Sequence, residues 1–130
     1  MTANEMIQAA RRYLQPRKLN DTTGDVACSL LSDNGNMYYG VCIDVGSGIG
    51  FCAEHSAIAA MVTAGERRIS QIVAVWGVKA ITVLPPCGRC RELMYQIDER
   101  NLDTDIILAE TQTVKLRDLL PHCGPEKWNE

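Results

Sequence analysis

The spacing of apolar residues changes several times along the chain, and each change marks a predicted element. Between residues 4 and 15, apolar side chains recur every three or four positions, which predicts an amphipathic helix. Residues 26–31 and 37–45 are strand-like runs joined by turn-forming residues, so they predict a β-hairpin. Residues 52–64 are mostly small and apolar and end at Gly65, which predicts a helix buried on most sides.

The second half of the chain alternates between strand and helix patterns. The predicted elements are buried strands at 71–76 and 105–109, an extended segment at 80–84, a long helix at 87–100, a further strand near Val114, and a short helix at 116–120. This alternation after a hairpin predicts an α/β fold, with a mixed sheet between helices on both faces.

Length and charge limit the classes of protein that fit. The 130 residues, 46% of them apolar, are enough for a single domain over residues 1–130. The net charge of −3 argues against a nucleic acid polymer as partner, since phosphate backbones favour a basic face. No apolar run approaches the roughly 20 residues that span a bilayer, so no membrane partner is expected. The first residues lack the pattern of a signal peptide, and we therefore expect a cytoplasmic protein.

The chain has six cysteines but only two histidines and one phenylalanine. In a reducing compartment, cysteines are expected to serve as metal ligands, catalytic groups or packing residues rather than as disulfides. Cys-Ala-Glu at 52–54 opens one predicted helix, and Pro-Cys-Gly-Arg-Cys at 86–90 opens another. Together they give Cys-x-Glu followed by Pro-Cys-x-x-Cys, which is the pattern of zinc deaminases that use three thiolates.

The chemistry of the residues agrees with this pattern. Cys87 and Cys90 have the spacing that lets two sulfurs converge on one ion, and Zn²⁺ favours thiolate ligands in tetrahedral geometry. A third thiolate from Cys52 leaves the fourth position open for water, as in catalytic sites. Two helix N-termini partly offset the negative charge of three thiolates. Glu54, two residues past a ligand, is placed to carry protons without being a ligand itself.

Two other interpretations of the cysteines stay open at this point. Cys87 and Cys90 have the spacing of a thioredoxin-like redox pair. A structural zinc site closed by a fourth ligand is the other, with three candidates for that ligand: His55, His122 and Cys123. The joint pattern of both motifs, with a glutamate in register, favours the catalytic interpretation over a non-catalytic zinc or redox module.

From the strand at Val26 to Trp128, the chain resembles the cytidine deaminase family, and within it the small blasticidin S deaminase type. The resemblance rests on the two cysteine motifs, the second extended to Arg91-Glu92, and on Leu-Leu-Pro at 119–121. It implies a three-layer α/β/α sandwich with a mixed five-stranded sheet, and a homotetramer whose active sites borrow residues from neighbouring subunits. It also implies one Zn²⁺ per chain, held by Cys52, Cys87 and Cys90, with Glu54 as the proton shuttle.

The implied activity is hydrolytic deamination of cytidine or deoxycytidine, with a modified nucleoside such as blasticidin S as the alternative substrate. In the family, the backbone N–H at Ala53 supports the ring oxygen, and the carbonyl at Pro85 accepts from the amino group. Cys42 and Asp44 stand where the family carries an asparagine and a glutamate that bind the ribose. Cysteine is a weak hydrogen-bonding group, and aspartate is one methylene shorter than glutamate.

Three further positions are singled out by the resemblance. His55 replaces an arginine that commonly bonds to the zinc thiolates, so a supporting role beside the metal is expected there. Arg89 and Arg91, which flank Cys90, are expected to supply the missing positive charge. The alternative, which applies more to Arg91 than to Arg89, is that these side chains are exposed on the surface. Trp128 matches a C-terminal tryptophan of blasticidin S deaminases, which implies a lid over the bound base.

Overall fold

The computed structural model describes residues 1–15 and 20–124. The helices are α1 (Ala3–Arg11), α2 (Ala53–Thr63), α3 (Gly88–Ile97) and α4 (Leu116–Leu119), and the strands are β1 (Val26–Ser32), β2 (Met37–Val41), β3 (Ile69–Trp76), β4 (Thr82–Leu84), β5 (Asp105–Ala109) and β6 (Gln112–Lys115). Within these described ranges, no helix has the length and apolar character needed to cross a membrane.

The strands form one mixed sheet with the order β2-β1-β3-β5-β6, and β4 pairs with β3 beside this path. Strands β3 and β5 are parallel, and the other pairs are antiparallel. The predicted mixed α/β sheet is confirmed, but it has six strands rather than five. The difference arises because β3 has eight residues, so it pairs with β5 at Gln71 and Ile72 and with β4 at residues 74–76.

Two separate apolar clusters show that helices cover both faces of the sheet. Val73 and Val75 of β3 belong to a cluster with Met6 of α1. Ile72, which points to the opposite face, belongs to a second cluster with residues of α2 and α3. Successive residues of a strand face opposite sides, so β3 contributes to both clusters. The three layers are therefore α1, the sheet, and α2 with α3.

Two helix ends differ from the sequence prediction: α1 begins at residue 3 rather than 4, and α3 ends at residue 97 rather than 100. Hydrogen bonds of the residues at these ends account for the difference. Helix α1 begins after Thr2, whose hydroxyl accepts a hydrogen bond from the Glu5 N–H while the Glu5 carboxylate accepts one from the Thr2 N–H. Helix α3 ends at Ile97 rather than near residue 100, because Asp98 is extended and its side chain caps the following 3-10 turn.

Gly40 allows α2 to pack directly on β2. A Cβ atom at this glycine would lie 2.3 Å from the backbone nitrogen of Ala57, which is far inside van der Waals contact. Because Gly40 has no side chain, the backbone of α2 can approach β2 this closely. Because α2 begins immediately after Cys52, this close packing also positions the first cysteine of the predicted site.

Candidate active site

Three cysteines from two helices form a cluster at one edge of the sandwich. Cys52 is the residue before the first turn of α2, and Cys87 is the residue before the first turn of α3. Their Sγ atoms are 3.4 Å apart, and the Sγ of Cys90, in the first turn of α3, completes a group whose atoms all lie within 4.8 Å of one another. The two motifs predicted to share a metal ion are thus brought together.

The electrostatics of the cluster require a cation if all three sulfurs are to ionise. Burial, and then the Glu54 carboxylate, raise the pKa of Cys90 far above its ordinary value. Burial, and then the hydrogen bond with Cys87, raise the pKa of Cys52. Burial also acts to raise the pKa of Cys87, but hydrogen bonds from the Cys90 N–H and from both neighbouring thiols together lower it. The positive charge of Zn²⁺ would offset the cost of ionising all three thiols, and thiolates are ligands that this ion favours.

Among residues 1–15 and 20–124, the group of potential metal ligands contains the three cysteines and no fourth member. His55 does not join it: its ring stacks on Phe51 with centroids 4.8 Å apart, and its Nδ1 is buried without a hydrogen-bond partner among the described residues. A closed structural site completed by His55, His122 or Cys123 is therefore not formed in the described part of the chain. Three thiolates leave one tetrahedral position of zinc open, as in catalytic sites.

Glu54 lies in the first turn of α2 and is 6% exposed. Burial raises the pKa of its carboxyl group above the ordinary value, because the charged form is disfavoured away from water. The carboxyl group therefore holds a proton more readily than an exposed glutamate does. The structure thus places a buried carboxyl group beside the thiol cluster, close enough for its charge to raise the pKa of Cys90 and of Cys52.

A cavity of about 390 Å³ joins the cluster to the other predicted contact residues. Its walls include nearly all the residues singled out by the sequence, namely Cys42, Asp44, Cys52, Ala53, Glu54, Pro85, Cys87 and Arg89. The volume lies within the range of small-molecule sites in proteins. Phe51 also lines the cavity, and the sequence analysis missed it. The available signal was that the only phenylalanine of the chain directly precedes Cys52.

The two residues at the predicted ribose positions differ in what they offer. The Cys42 thiol donates to the Thr22 carbonyl at 3.4 Å and accepts from the Val26 N–H at 3.4 Å, so its hydrogen-bonding capacity is used by the backbone. Asp44 is held through its main chain, because its N–H donates to the Thr23 hydroxyl at 2.8 Å and its carbonyl accepts from the same hydroxyl at 2.9 Å. The Asp44 side chain is exposed and lines the cavity.

The two arginines flanking Cys90 lie in different environments. Arg89 is exposed at the cavity wall. Arg91, for which surface exposure was the alternative interpretation, is half-buried and donates hydrogen bonds to the carbonyls of Pro86 at 2.8 Å and Leu119 at 3.1 Å. Trp128, predicted to form a lid, lies outside the described residues.

The fold and the site together define a zinc-binding α/β protein with an open metal position beside a buried carboxyl group. Over residues 1–103 the sequence matches the family described as the cytidine and deoxycytidylate deaminase zinc-binding region. The chain belongs to this family. Its cofactor is zinc, and the three-cysteine cluster is positioned to hold the ion.

Individual proteins show the same relationship. The chain is 36% identical over 76 residues to the cytidine deaminase of Mycoplasma genitalium, a match that covers 58% of this chain and 57% of that relative. The chain therefore spans little more than half the length of the curated relatives it matches.

Solved structures match over nearly the whole described fold. The cytidine deaminase from Mycobacterium tuberculosis has a TM-score of 0.71 at 28% identity, over 94% of this chain and 93% of that one. The cytidine deaminase from Burkholderia pseudomallei has a TM-score of 0.77 at 23% identity, over 95% of this chain and 100% of that one. The second similarity shows the shared fold.

Proposed function

We propose that this protein catalyses the zinc-dependent hydrolytic deamination of a cytosine-ring nucleoside. Cytidine or deoxycytidine would be converted to uridine or deoxyuridine, and ammonia would be released. The observation that carries the proposal is the cavity lined by Cys52, Cys87 and the buried Glu54, with the buried sulfur of Cys90 completing the cluster behind its wall. A structural zinc site or a redox pair has no need of a buried carboxyl group beside an open metal position.

Glu54 is the proposed proton carrier of the reaction. Bound zinc would supply a Lewis acid that lowers the pKa of water toward neutrality. The Glu54 carboxylate would accept the proton of the attacking water, deliver it to the ring nitrogen next to the amino-bearing carbon, and assist protonation of the departing ammonia. The raised pKa of this carboxyl supports such a role, because a group that both accepts and donates works best near the ambient pH.

Backbone groups at two cavity positions are proposed to orient the base. Ala53 is the first residue of α2, so its N–H has no acceptor within the helix and remains available to a ring oxygen. The Pro85 carbonyl is the proposed acceptor for the exocyclic amino group, and Pro85 lines the same cavity. Asp44 would accept a hydrogen bond from a sugar hydroxyl, while Arg89 would contribute positive charge at the cavity wall.

Ammonia release from a panel of compounds tests the proposal directly. The panel contains cytidine, deoxycytidine, free cytosine, adenosine and blasticidin S, and zinc per chain is measured on the same samples. We expect release from the cytosine nucleosides, and a loss of roughly 10²–10⁴-fold in kcat for Glu54→Gln with zinc content unchanged. Glu99→Gln, an exposed carboxylate in the 3-10 turn after α3, is the matched control and should keep full activity.

Three results would contradict the proposal in different ways. Ammonia release that survives in Glu54→Gln would exclude the proposed proton carrier. Release from free cytosine alone would exclude a nucleoside as substrate, and release from blasticidin S alone would assign the enzyme to a modified nucleoside. Zinc binding without ammonia release from any compound would favour a non-catalytic zinc module.

We also propose that the protein assembles as a homotetramer. Large apolar side chains are exposed on the single chain, among them Ile49 at 75% and Val78 at 74%. The tetramer is carried over from the resemblance to the family, and association would cover exposed apolar side chains such as these. Light scattering coupled to size exclusion should give four times the chain mass, and a monomer at micromolar concentration would contradict the proposal.

A further inference from the structure

Arg91, the residue after Cys90, bridges two segments of the chain that are distant in sequence. Its Nε donates to the carbonyl of Pro86 at 2.8 Å, and its terminal nitrogen donates to the carbonyl of Leu119 at 3.1 Å. Pro86 directly precedes Cys87, and Leu119 is the last residue of α4. One guanidinium group therefore joins the loop that carries a zinc ligand to a segment 28 residues away in sequence.

A second contact holds the same distant segment against α3. The Tyr95 hydroxyl donates to the carbonyl of Gly124 at 3.0 Å. Residues 91 and 95 are four positions apart on α3, so their side chains lie on one face of that helix. We call residues 119–124 the C-terminal strap. It is anchored near both ends to the helix that begins at Cys87 and contains Cys90.

The fixed fork of a guanidinium makes this bridge rigid. Its N–H groups point in set directions, so the two carbonyls of Pro86 and Leu119 are held at a defined separation. The ammonium group of a lysine, at the end of a shorter side chain, has no such pair of donors in fixed directions. Movement of the strap would therefore be transmitted to the Pro86 carbonyl, and from there to the backbone of the neighbouring Cys87.

We propose that Arg91 is a positioning residue that couples the C-terminal strap to the zinc-binding loop and so slows loss of the metal. The two hydrogen bonds of this side chain hold the strap at a fixed position relative to the loop. The inference rests on the zinc centre rather than on the identity of the substrate. Failure of every compound to release ammonia would contradict the proposed function but would leave this coupling open to its own test.

Zinc transfer from the zinc-loaded protein to a chromogenic chelator measures the coupling without reference to activity. Arg91→Met keeps most of the side-chain length but removes all donors, and we expect zinc release to become roughly 10–100-fold faster, as for outer groups that orient metal ligands. Arg91→Lys retains a donor for one of the two carbonyls, so its rate should fall between those of Arg91→Met and the wild type.

Hydrogen exchange of the strap amides, measured on the same samples, gives the second readout. We expect exchange in residues 119–124 to rise together with zinc release in Arg91→Met. Arg11→Met is the control, because Arg11 is exposed in the last turn of α1, on the opposite face of the sheet, and its loss should leave both rates unchanged. Wild-type zinc release in a folded Arg91→Met would overturn the proposal. So would equally fast release in the lysine and methionine variants, with the strap amides still protected.

Discussion

The sulfur atoms of Cys52 and Cys87 lie 3.4 Å apart although the two residues are 35 positions apart in the chain. Each residue immediately precedes a helix, so the two helix N-termini approach the same point. The partial positive charge of a helix N-terminus stabilises a nearby anion, and here two of them act on one thiolate cluster. This relationship makes zinc binding depend on the packing of both helices.

The first prediction concerns the ligand supplied by α3. We expect Cys87→Ser to lose bound zinc, because a hydroxyl is not among the usual zinc ligands and two thiolates alone hold the ion weakly. Dialysis against a weak chelator, followed by elemental analysis, should show at least about a tenfold fall in zinc per chain. Cys123→Ser changes a cysteine outside the cluster and should keep its zinc. Equal zinc content in the two variants would rule out Cys87 as a ligand.

The second prediction concerns recognition at the far end of the cavity. Because the Cys42 thiol is occupied by backbone partners, the side chain of Asp44 is the acceptor left for a sugar hydroxyl there. A hydrogen bond to a charged group contributes about 1.5–3 kcal/mol, so Asp44→Ala should lower kcat/KM for cytidine by roughly 10- to 150-fold. The loss should appear mainly in KM. Asp33→Ala, in the exposed turn between β1 and β2, serves as control; unaltered kinetics in Asp44→Ala would exclude the contact.

The third prediction concerns acid stability. The Tyr38 hydroxyl, and then the Asn36 side chain, donate to the Glu66 carboxylate, and these bonds lower its pKa from 4.5 to about 2. Because the folded-state pKa is the lower one, this stabilisation is complete above about pH 4.5 and is lost as the pH falls toward 2. Glu66→Gln should therefore be less stable at neutral pH and should show a flatter dependence between these limits.

Urea unfolding at a series of pH values checks this expectation. Glu110→Gln, in the exposed turn between β5 and β6, provides the matched removal of one carboxylate and should follow the wild-type curve. If Glu66→Gln and the wild type lose stability in parallel between pH 4.5 and 2, the hydrogen bonds to Glu66 do not account for the loss of stability in acid.

The fourth prediction concerns the buried Asn101, which has no exposed surface. Its Oδ1 accepts from the Ile69 N–H at 2.8 Å, and its Nδ2 donates to the carbonyls of Arg67 and Met94, each at 2.9 Å. Asn101→Ala would leave the buried Ile69 N–H without this acceptor and would remove a donor from the carbonyls of Arg67 and Met94, so we expect the free energy of unfolding to fall by about 2–5 kcal/mol.

Unfolding at one fixed free zinc concentration provides this measurement, because the stability added by bound zinc depends on that concentration and on the Kd of the site. The exposed Gln96 contacts only Glu92 on its own helix among the hydrogen bonds described, so Gln96→Ala should change stability by less than about 0.5 kcal/mol. Similar stabilities for the two variants would show that water replaces the Asn101 side chain.

The parts of this protein that could be predicted from sequence are those that depend on local spacing. The helix that begins after Cys52 and ends before Gly65 follows from its composition and its stop signal, and the structure confirms it. Strand β5 has the predicted bounds, because a short apolar run between turns is a local signal. The Cys-x-x-Cys spacing likewise brings two sulfurs to one helix start without any contact from elsewhere.

What the tertiary structure alone decided depends on groups that are distant in sequence. Strands β4 and β5 both pair with the same edge of β3, at different residues. The number of strands in the sheet therefore depends on pairing between segments that are distant in sequence. The thiol of Cys42 is occupied only because the chain folds Thr22 against it. Residue type and spacing thus determined the chemistry of the site. The folded chain decided which of these side chains remain free to contact a ligand, because backbone groups distant in sequence bind some of them. Arg91 is one example, since it donates to the carbonyl of Leu119.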